Sequence, residues 1–144
     1  MVQRQQEISV YGVIVQDHQI LLVQKSSGPN KGLWDLPGGK IQFGESPDTT
    51  LIREVLEETG LEISTVSYLK SDAQVVNYTD PEHGKMTMHL VGFIFKVKPK
   101  HTLSLAPKED DVDLICTKWC DYSELDVDTL SPFLQELLLD GITI

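Results

Sequence analysis

The stretch from Ser46 to Gly60 limits the possible folds more than any other part of the sequence. Ser46 is a good N-cap, Pro47 fits the first helical position, and Gly60 fits the left-handed stop after a last turn. Between them Leu51, Ile52, Val55 and Leu56 fall on one arc at about 100° per residue, which predicts an amphipathic helix with its apolar stripe against a core. The rest of that core has to come from strands. Ile8 to Val15 is apolar on both alternations and reads as a buried strand. Asp17-His18 turns it into a second strand, Ile20 to Val23. Ser26 to Lys31, containing Gly28-Pro29-Asn30, is a loop, and Trp34 to Gly39 runs into a tight Pro-Gly-Gly turn. Ile63 to Val76 is expected to be strand-rich, Met86 to Val97 a long strand and Leu114 to Trp119 a shorter one. Ser131 to Leu139 is expected to be a second amphipathic helix, with Leu134, Leu137 and Leu138 inward. Strands interleaved with two helices predict an α/β fold, a sandwich around a mixed sheet.

The first helix carries a local contradiction. Glu54, Glu57 and Glu58 stand at i, i+3 and i+4, on a face roughly opposite the apolar stripe. Like charges at this spacing cost a few tenths of a kcal/mol per pair. They also crowd the last turns, where the helix dipole favours cations, at about 0.3–1 kcal/mol for each nearby carboxylate. No lysine stands four residues away to pair with any of them. A hard divalent cation held by carboxylate oxygens removes both penalties. A solvated acidic face is the alternative.

The surroundings decide between the two. From Gly39 the chain has five residues, Glu45, seven residues, Arg53-Glu54-Val55, one residue, Glu57-Glu58, one residue, and Gly60-Leu61. With average residue usage, a match at all these positions arises by chance in a chain this long with a probability on the order of 10⁻⁸. This is the full Nudix box signature, and the chain resembles the Nudix (MutT-like) hydrolase family. Gly32-Leu-Trp-Asp-Leu-Pro-Gly-Gly39 is similar to the family's lead-in to the box. Lys118-Trp119 with Ser123-Glu124-Leu125 is similar to its C-terminal segment.

The resemblance covers about Ile8 to Leu138 and implies one domain over residues 1–144 with an α/β/α sandwich, the box forming loop–helix–loop. It implies Mg²⁺, with Mn²⁺ as a substitute, on Glu54, Glu57, Glu58 and the Gly39 carbonyl. Asp113 is the best candidate for an added acidic ligand from outside the box, with Glu109 next. Arg53 is expected to fork a carboxylate and orient it, and Glu45 to brace Arg53 or the loop. Glu57 and Glu54 are both candidates for the general base, which stays unassigned. Lys25, at the end of the second strand, is where the family often has a basic residue facing substrate. Tyr78 is a candidate to stack on a base; packing at a strand end is the other reading. Trp34 and Phe43 fit base contact or packing beside the box equally well. The implied activity is hydrolysis of a diphosphate bond in a nucleotide sugar, dinucleoside polyphosphate or nucleoside triphosphate. The alternative is an inactive Nudix-fold regulator that binds a nucleotide, against which the intact box counts. Dimers are frequent in the family.

Composition narrows the partners. At a net charge of −10 over 144 residues, the surface repels a phosphate backbone, so long nucleic acid is not an expected partner. A net-acidic enzyme acting on a polyphosphate has to neutralise charge locally, and bound divalent cations do this. Lys96, Lys98, Lys100 and His101 alternate along a strand end, a pattern that edge protection or solubility explains. No apolar run reaches about 18 residues, so no membrane span is expected. Met1 to Glu7 lacks the apolar centre of a signal peptide, and a cytoplasmic location is expected. Cys116 and Cys120, four residues apart on an expected strand, lie about 13 Å apart, too far for a disulfide. They are expected to be buried or half-buried free thiols. His18, His83, His89 and His101 show no ligand spacing, and His89 reads as a core or rim residue.

Overall fold

The computed structural model describes residues 2–101 and 114–141, with the side chains of 114 and 115 left aside. Its strands are β1 (Gln3–Val13), β2 (Val15–Gln16), β3 (Gln19–Lys25), β4 (Trp34–Asp35), β5 (Gly38–Lys40), β6 (Ile63–Asp80), β7 (Gly84–Pro99) and β8 (Leu114–Asp121). Its helices are α1 (Pro47–Thr59) and α2 (Pro132–Leu139), with short 3₁₀ turns at Tyr122–Glu124 and Val127–Thr129.

Two sheets form. The first has the order β5-β1-β7-β6 and is mixed, because β1 runs parallel to β7 while its other pairs are antiparallel. In the second, β3 pairs with β2, β4 and β8, all antiparallel. The Leu21 N–H donates to the Ile14 carbonyl at 2.9 Å where the chain passes from one sheet to the other. The expected mixed sheet is thus accompanied by a second one.

Alternation along β1, β3 and β7 builds the two cores. Val10, Ile14, Leu21, Phe95 and Val97 pack with Leu51 and Val55 of α1. Tyr11, Val13, Ile20, Leu22 and Ile94 pack with Phe133, Leu134 and Leu137 of α2. The helices cover opposite faces, as the expected α/β/α layering requires.

Both helices begin and end where their capping residues put them. Ser46 Oγ accepts the Thr49 N–H at 3.2 Å, and Gly60 takes φ 76° while its N–H donates to the Leu56 carbonyl. Ser131 caps α2 in the same way. The stripe of α1 is narrower than expected, with Leu51 and Val55 fully buried and Ile52 47% exposed. The arc reaches further toward Thr59 and Glu58, both buried, so one of the three acids lies inside. In α2, Phe133 is buried and Leu138 only partly.

The hairpin of β6 and β7 is longer than the expected strands, and Tyr78 lies near its outer end, opposite Met86. Asp17 and His18 both take positive φ, 50° and 66°, in the tight turn between β2 and β3. Both cysteines are free, and Cys116 is exposed rather than buried. It sits on β8, which among the described strands pairs with β3. His89 is half-buried, with Nδ1 2.9 Å from Gln6 Nε2.

Candidate active site

The site is assembled by β5, α1 and the end of β3. Gly38 and Gly39 pair with Tyr11 and Val10 of β1, and α1 lies across the same strand. A side chain on either glycine would force a shift, for different reasons. A Cβ on Gly38 would fall 2.0 Å from the Val10 carbonyl oxygen, so the backbone crossing itself needs glycine there. A Cβ on Gly39 would fall 2.6 Å from Glu54 Cδ and 2.7 and 2.8 Å from its two oxygens. The Glu54 carboxylate therefore fills the space a side chain would take and lies directly on the Gly39 backbone.

Arg53 organises the acids. Its Nε and Nη2 donate to the two oxygens of Glu45 at 2.8 and 2.9 Å, a bidentate fork. Its Nη1 donates to Glu54 Oε1 at 2.9 Å and to Glu57 Oε2 at 3.3 Å. Glu45 also accepts from the Gln42 N–H and the Thr50 hydroxyl, both at 3.0 Å. Arg53 beside it, with these donors, holds the Glu45 carboxyl down at about 2. Glu54 goes the other way. Burial raises it above the usual carboxylate range, and the Glu57 charge adds to that against the pull of Arg53 and Lys25.

Glu58 has turned into the protein. Its side chain is 3% exposed, Oε1 accepts the Gly38 N–H at 2.7 Å, and Oε2 takes Lys25 Nζ at 3.2 Å. Burial outweighs both partners and pushes its carboxyl up to about 8. Lys25 Nζ also lies 3.5 Å from the Gly38 carbonyl. Burial alone would depress the ammonium, but the Glu58 and Asp35 carboxylates outweigh it and raise it. The Thr117 hydroxyl donates to the Glu58 carbonyl at 3.0 Å and ties the end of α1 to β8.

The structure thus brings Glu45, Arg53, Glu54, Glu57, Glu58, Gly39 and Lys25 together. It does not bring Tyr78 to them. Tyr78 is level with Gln3 on β1 and Gly39 with Val10, seven residues further along, which is roughly 23 Å of strand. Tyr78 instead packs partly buried beside the core under α2. Lys25 points at Glu58. Phe43 is fully exposed, so it does not pack beside the box, whereas Trp34 is half-buried with Lys118 Nζ 4.7 Å from its ring centre. Asp113 and Glu109 lie outside the described residues.

Sequence reasoning missed one buried polar link. Asp35 Oδ1 accepts the Leu36 N–H at 2.8 Å and the hydroxyl of Ser131, the α2 cap, at 2.7 Å. The Asp in the lead-in and the Ser before Pro132 were each visible, but nothing in the sequence joined them.

The donor set suits a hard divalent ion. It consists of carboxylate oxygens beside a bare glycine backbone, with Arg53 and Lys25 supplying positive charge in the meantime. Among the described residues, no three His, Cys, Asp or Glu side chains converge as a ready ligand cluster.

The profile of the NUDIX domain family matches residues 4–140. The chain belongs to that family. Nudix hydrolases generally use divalent metals and act on small nucleotide-like substrates. The chain is 43% identical over 54 residues to an ADP-ribose pyrophosphatase of Methanocaldococcus jannaschii, covering 38% of this chain and 32% of that protein. It is 28% identical over 116 residues to the CTP pyrophosphohydrolase of Escherichia coli, covering 74% and 86%. A MutT-like protein of Streptomyces ambofaciens is 31% identical over 64% of this chain and 51% of its own length. The matches thus span a third to a half of the Methanocaldococcus and Streptomyces relatives. The crystal structure of a MutT NUDIX hydrolase from Burkholderia pseudomallei superposes with a TM-score of 0.71 at 25% identity, covering 96% of this chain and 99% of that one. Among the described residues, no helix is long and apolar enough to cross a membrane.

Proposed function

We propose that this Nudix protein is a Mg²⁺-dependent hydrolase, also served by Mn²⁺, of a diphosphate bond in a nucleoside diphosphate linked to another moiety. The observation that carries the reading is the Arg53 guanidinium, forked on Glu45 and reaching Glu54 and Glu57, with the Glu54 carboxylate seated on bare Gly39. In this reading the arginine holds in place the carboxylate oxygens that a divalent ion would bind.

In this reading Glu54, Glu57, Glu58 and the Gly39 carbonyl hold the ion or ions, with Asp113 as a further ligand. Bound divalent ions supply neutralisation of the diphosphate and activation of water. Arg53 fixes where the Glu54 and Glu57 oxygens point, and Glu45 fixes Arg53, so both are positioning residues. Glu54 or Glu57 takes the proton from the attacking water. The reading includes a single domain over residues 1–144 and a cytoplasmic location, the former supported by the match across 4–140.

The substrate class is a small soluble nucleotide. The relatives' names include an ADP-ribose pyrophosphatase and a CTP pyrophosphohydrolase, and the −10 charge disfavours a long polyanion. The test is a kcat/KM panel with Mg²⁺ containing ADP-ribose, a diadenosine polyphosphate, CTP, 8-oxo-dGTP and a 5′-triphosphorylated RNA. Turnover of at least one small nucleotide, abolished by EDTA, is expected. No turnover of any member in the presence of tight nucleotide binding would instead establish a binding protein.

A further inference from the structure

The acids of α1 are held by two cations of different origin. Arg53 belongs to the helix itself. Lys25 reaches in from the end of β3, thirty-three residues before Glu58. The Glu58 carboxylate is fully engaged inside the protein, with Oε1 on the Gly38 N–H and Oε2 on Lys25 Nζ at 3.2 Å, at 3% exposure. A divalent ion bound to carboxylate oxygen sits at about 2.0–2.6 Å. An ammonium hydrogen-bonded to the same oxygen would then face it across a few ångströms in a poorly solvated place, where like charges repel strongly.

We propose that Lys25 is an internal counter-ion to Glu58 that a divalent cation has to displace, so that the Lys25–Glu58 pair and metal on Glu58 exclude each other. The proposal rests on the reading of Glu58 as a metal ligand. A buried carboxylate with no cation beside it is costly, and Lys25 offsets part of that cost in the metal-free chain. The ammonium has a second acceptor besides Glu58, the Gly38 carbonyl 3.5 Å from Nζ. Lys25 is therefore a positioning residue that sets the strength of metal binding and keeps Glu58 pointed at Gly38 until metal arrives.

The test is a Mn²⁺ titration of the full chain, free Mn²⁺ being read by electron paramagnetic resonance. Lys25→Met is expected to bind Mn²⁺ at least about tenfold more tightly than wild type, because the competitor is gone. Lys25→Arg, which keeps the charge, is expected to stay near wild type. In a Glu58→Gln background the Lys25→Met gain is expected to vanish. A merely structural lysine predicts equal or weaker binding in Lys25→Met, and that result overturns the proposal. Wild type alone gives a second readout that needs no variant to fold. Amine acylation followed by mass spectrometry is expected to modify Lys25 several-fold faster when the protein is saturated with Mg²⁺, with exposed Lys31 as the internal reference. An unchanged Lys25 rate while Mn²⁺ binds overturns the proposal but leaves Glu58 as a ligand in play. A wild type that binds no Mn²⁺ overturns both.

Discussion

At the scale of single residues, the two best-defined carboxylates give opposite pH dependences. Glu45 is held down at about 2 by Arg53, below its value of about 4.3 in an unfolded chain. Its contribution to stability is complete above the unfolded value and is lost as pH falls from there through about 2. Glu58 is pushed up to about 8 by burial, so the folded chain binds a proton there that the unfolded chain has released. Its effect is a loss of stability as pH rises from about 4.5 toward 8. The metal-free protein is therefore expected to be most stable near pH 4–5. Glu45→Gln is expected to flatten the acid limb and Glu58→Gln the alkaline limb, as measured by urea unfolding across pH with EDTA present. Glu57 differs from both. Its side chain is 38% exposed and, among the described residues, is paired with Arg53 at 3.3 Å, so Glu57→Gln is expected to change metal-free stability by no more than about 0.5 kcal/mol. Its kcat with Mg²⁺ is expected to fall by about 10² or more. Near-normal turnover in this variant would remove Glu57 from the metal site.

At the scale of elements, the adjacent glycines of β5 separate folding from function. Gly38→Ala drives a Cβ into the Val10 carbonyl at 2.0 Å, a backbone clash with no side chain to give way. A loss of about 3 kcal/mol or more is expected, since β5 has to leave β1. Gly39→Ala meets a flexible carboxylate instead, so Glu54 swings off the backbone. A loss near 1 kcal/mol with at least about a tenfold drop in Mg²⁺ affinity is expected. Thermal unfolding and metal titration of the two variants check the contrast, and equal stability losses would contradict it.

The same element shows what the sequence could reveal. Ser46, Pro47 and Gly60 mark the ends of α1 because capping is a local property, and the box spacing marks the acids. The inward turn of Glu58 was not legible, because it depends on Lys25 and Gly38, which no short-range pattern connects to it. The long reach of β6 was blurred for a related reason. Its residues alternate between exposed and half-covered with few fully apolar positions, so pairing with β7 rather than its own pattern defines it. Asp113 remains a candidate by spacing alone.

At the scale of the whole molecule, Asp35 and Ser131 are the polar fastening between the box side and the α2 side. Ser131 caps α2 and donates to Asp35, which precedes the glycines of β5 by three residues. Ser131→Ala removes the helix cap and one of the hydrogen bonds to a buried carboxylate together. It is expected to destabilise the fold by about 2–3 kcal/mol, and Asp35→Ala in the Ser131→Ala background to add less than it does alone. A double-mutant cycle on chemical unfolding measures that coupling. Additive losses would mean that the two ends of the fastening act separately.

The parallel pairing of β1 with β7 has a consequence in time. Gln3 lies against Met86, so the centre of the first sheet joins segments 83 residues apart. At a synthesis rate of about 5–20 residues per second, β1 leaves the ribosome roughly 4 to 17 s before its central neighbour exists. In that interval its antiparallel partner among the described strands is the short β5, which pairs with Ser9 to Tyr11. The box is thus translated, and α1 can begin to wind, while one side of β1 is still an open edge. That open side includes Val10 and Val13, both fully buried or nearly so in the finished chain. The polar run Gln3 to Glu7 precedes them on the same strand. It keeps half of a waiting edge hydrophilic until β7 arrives to close it.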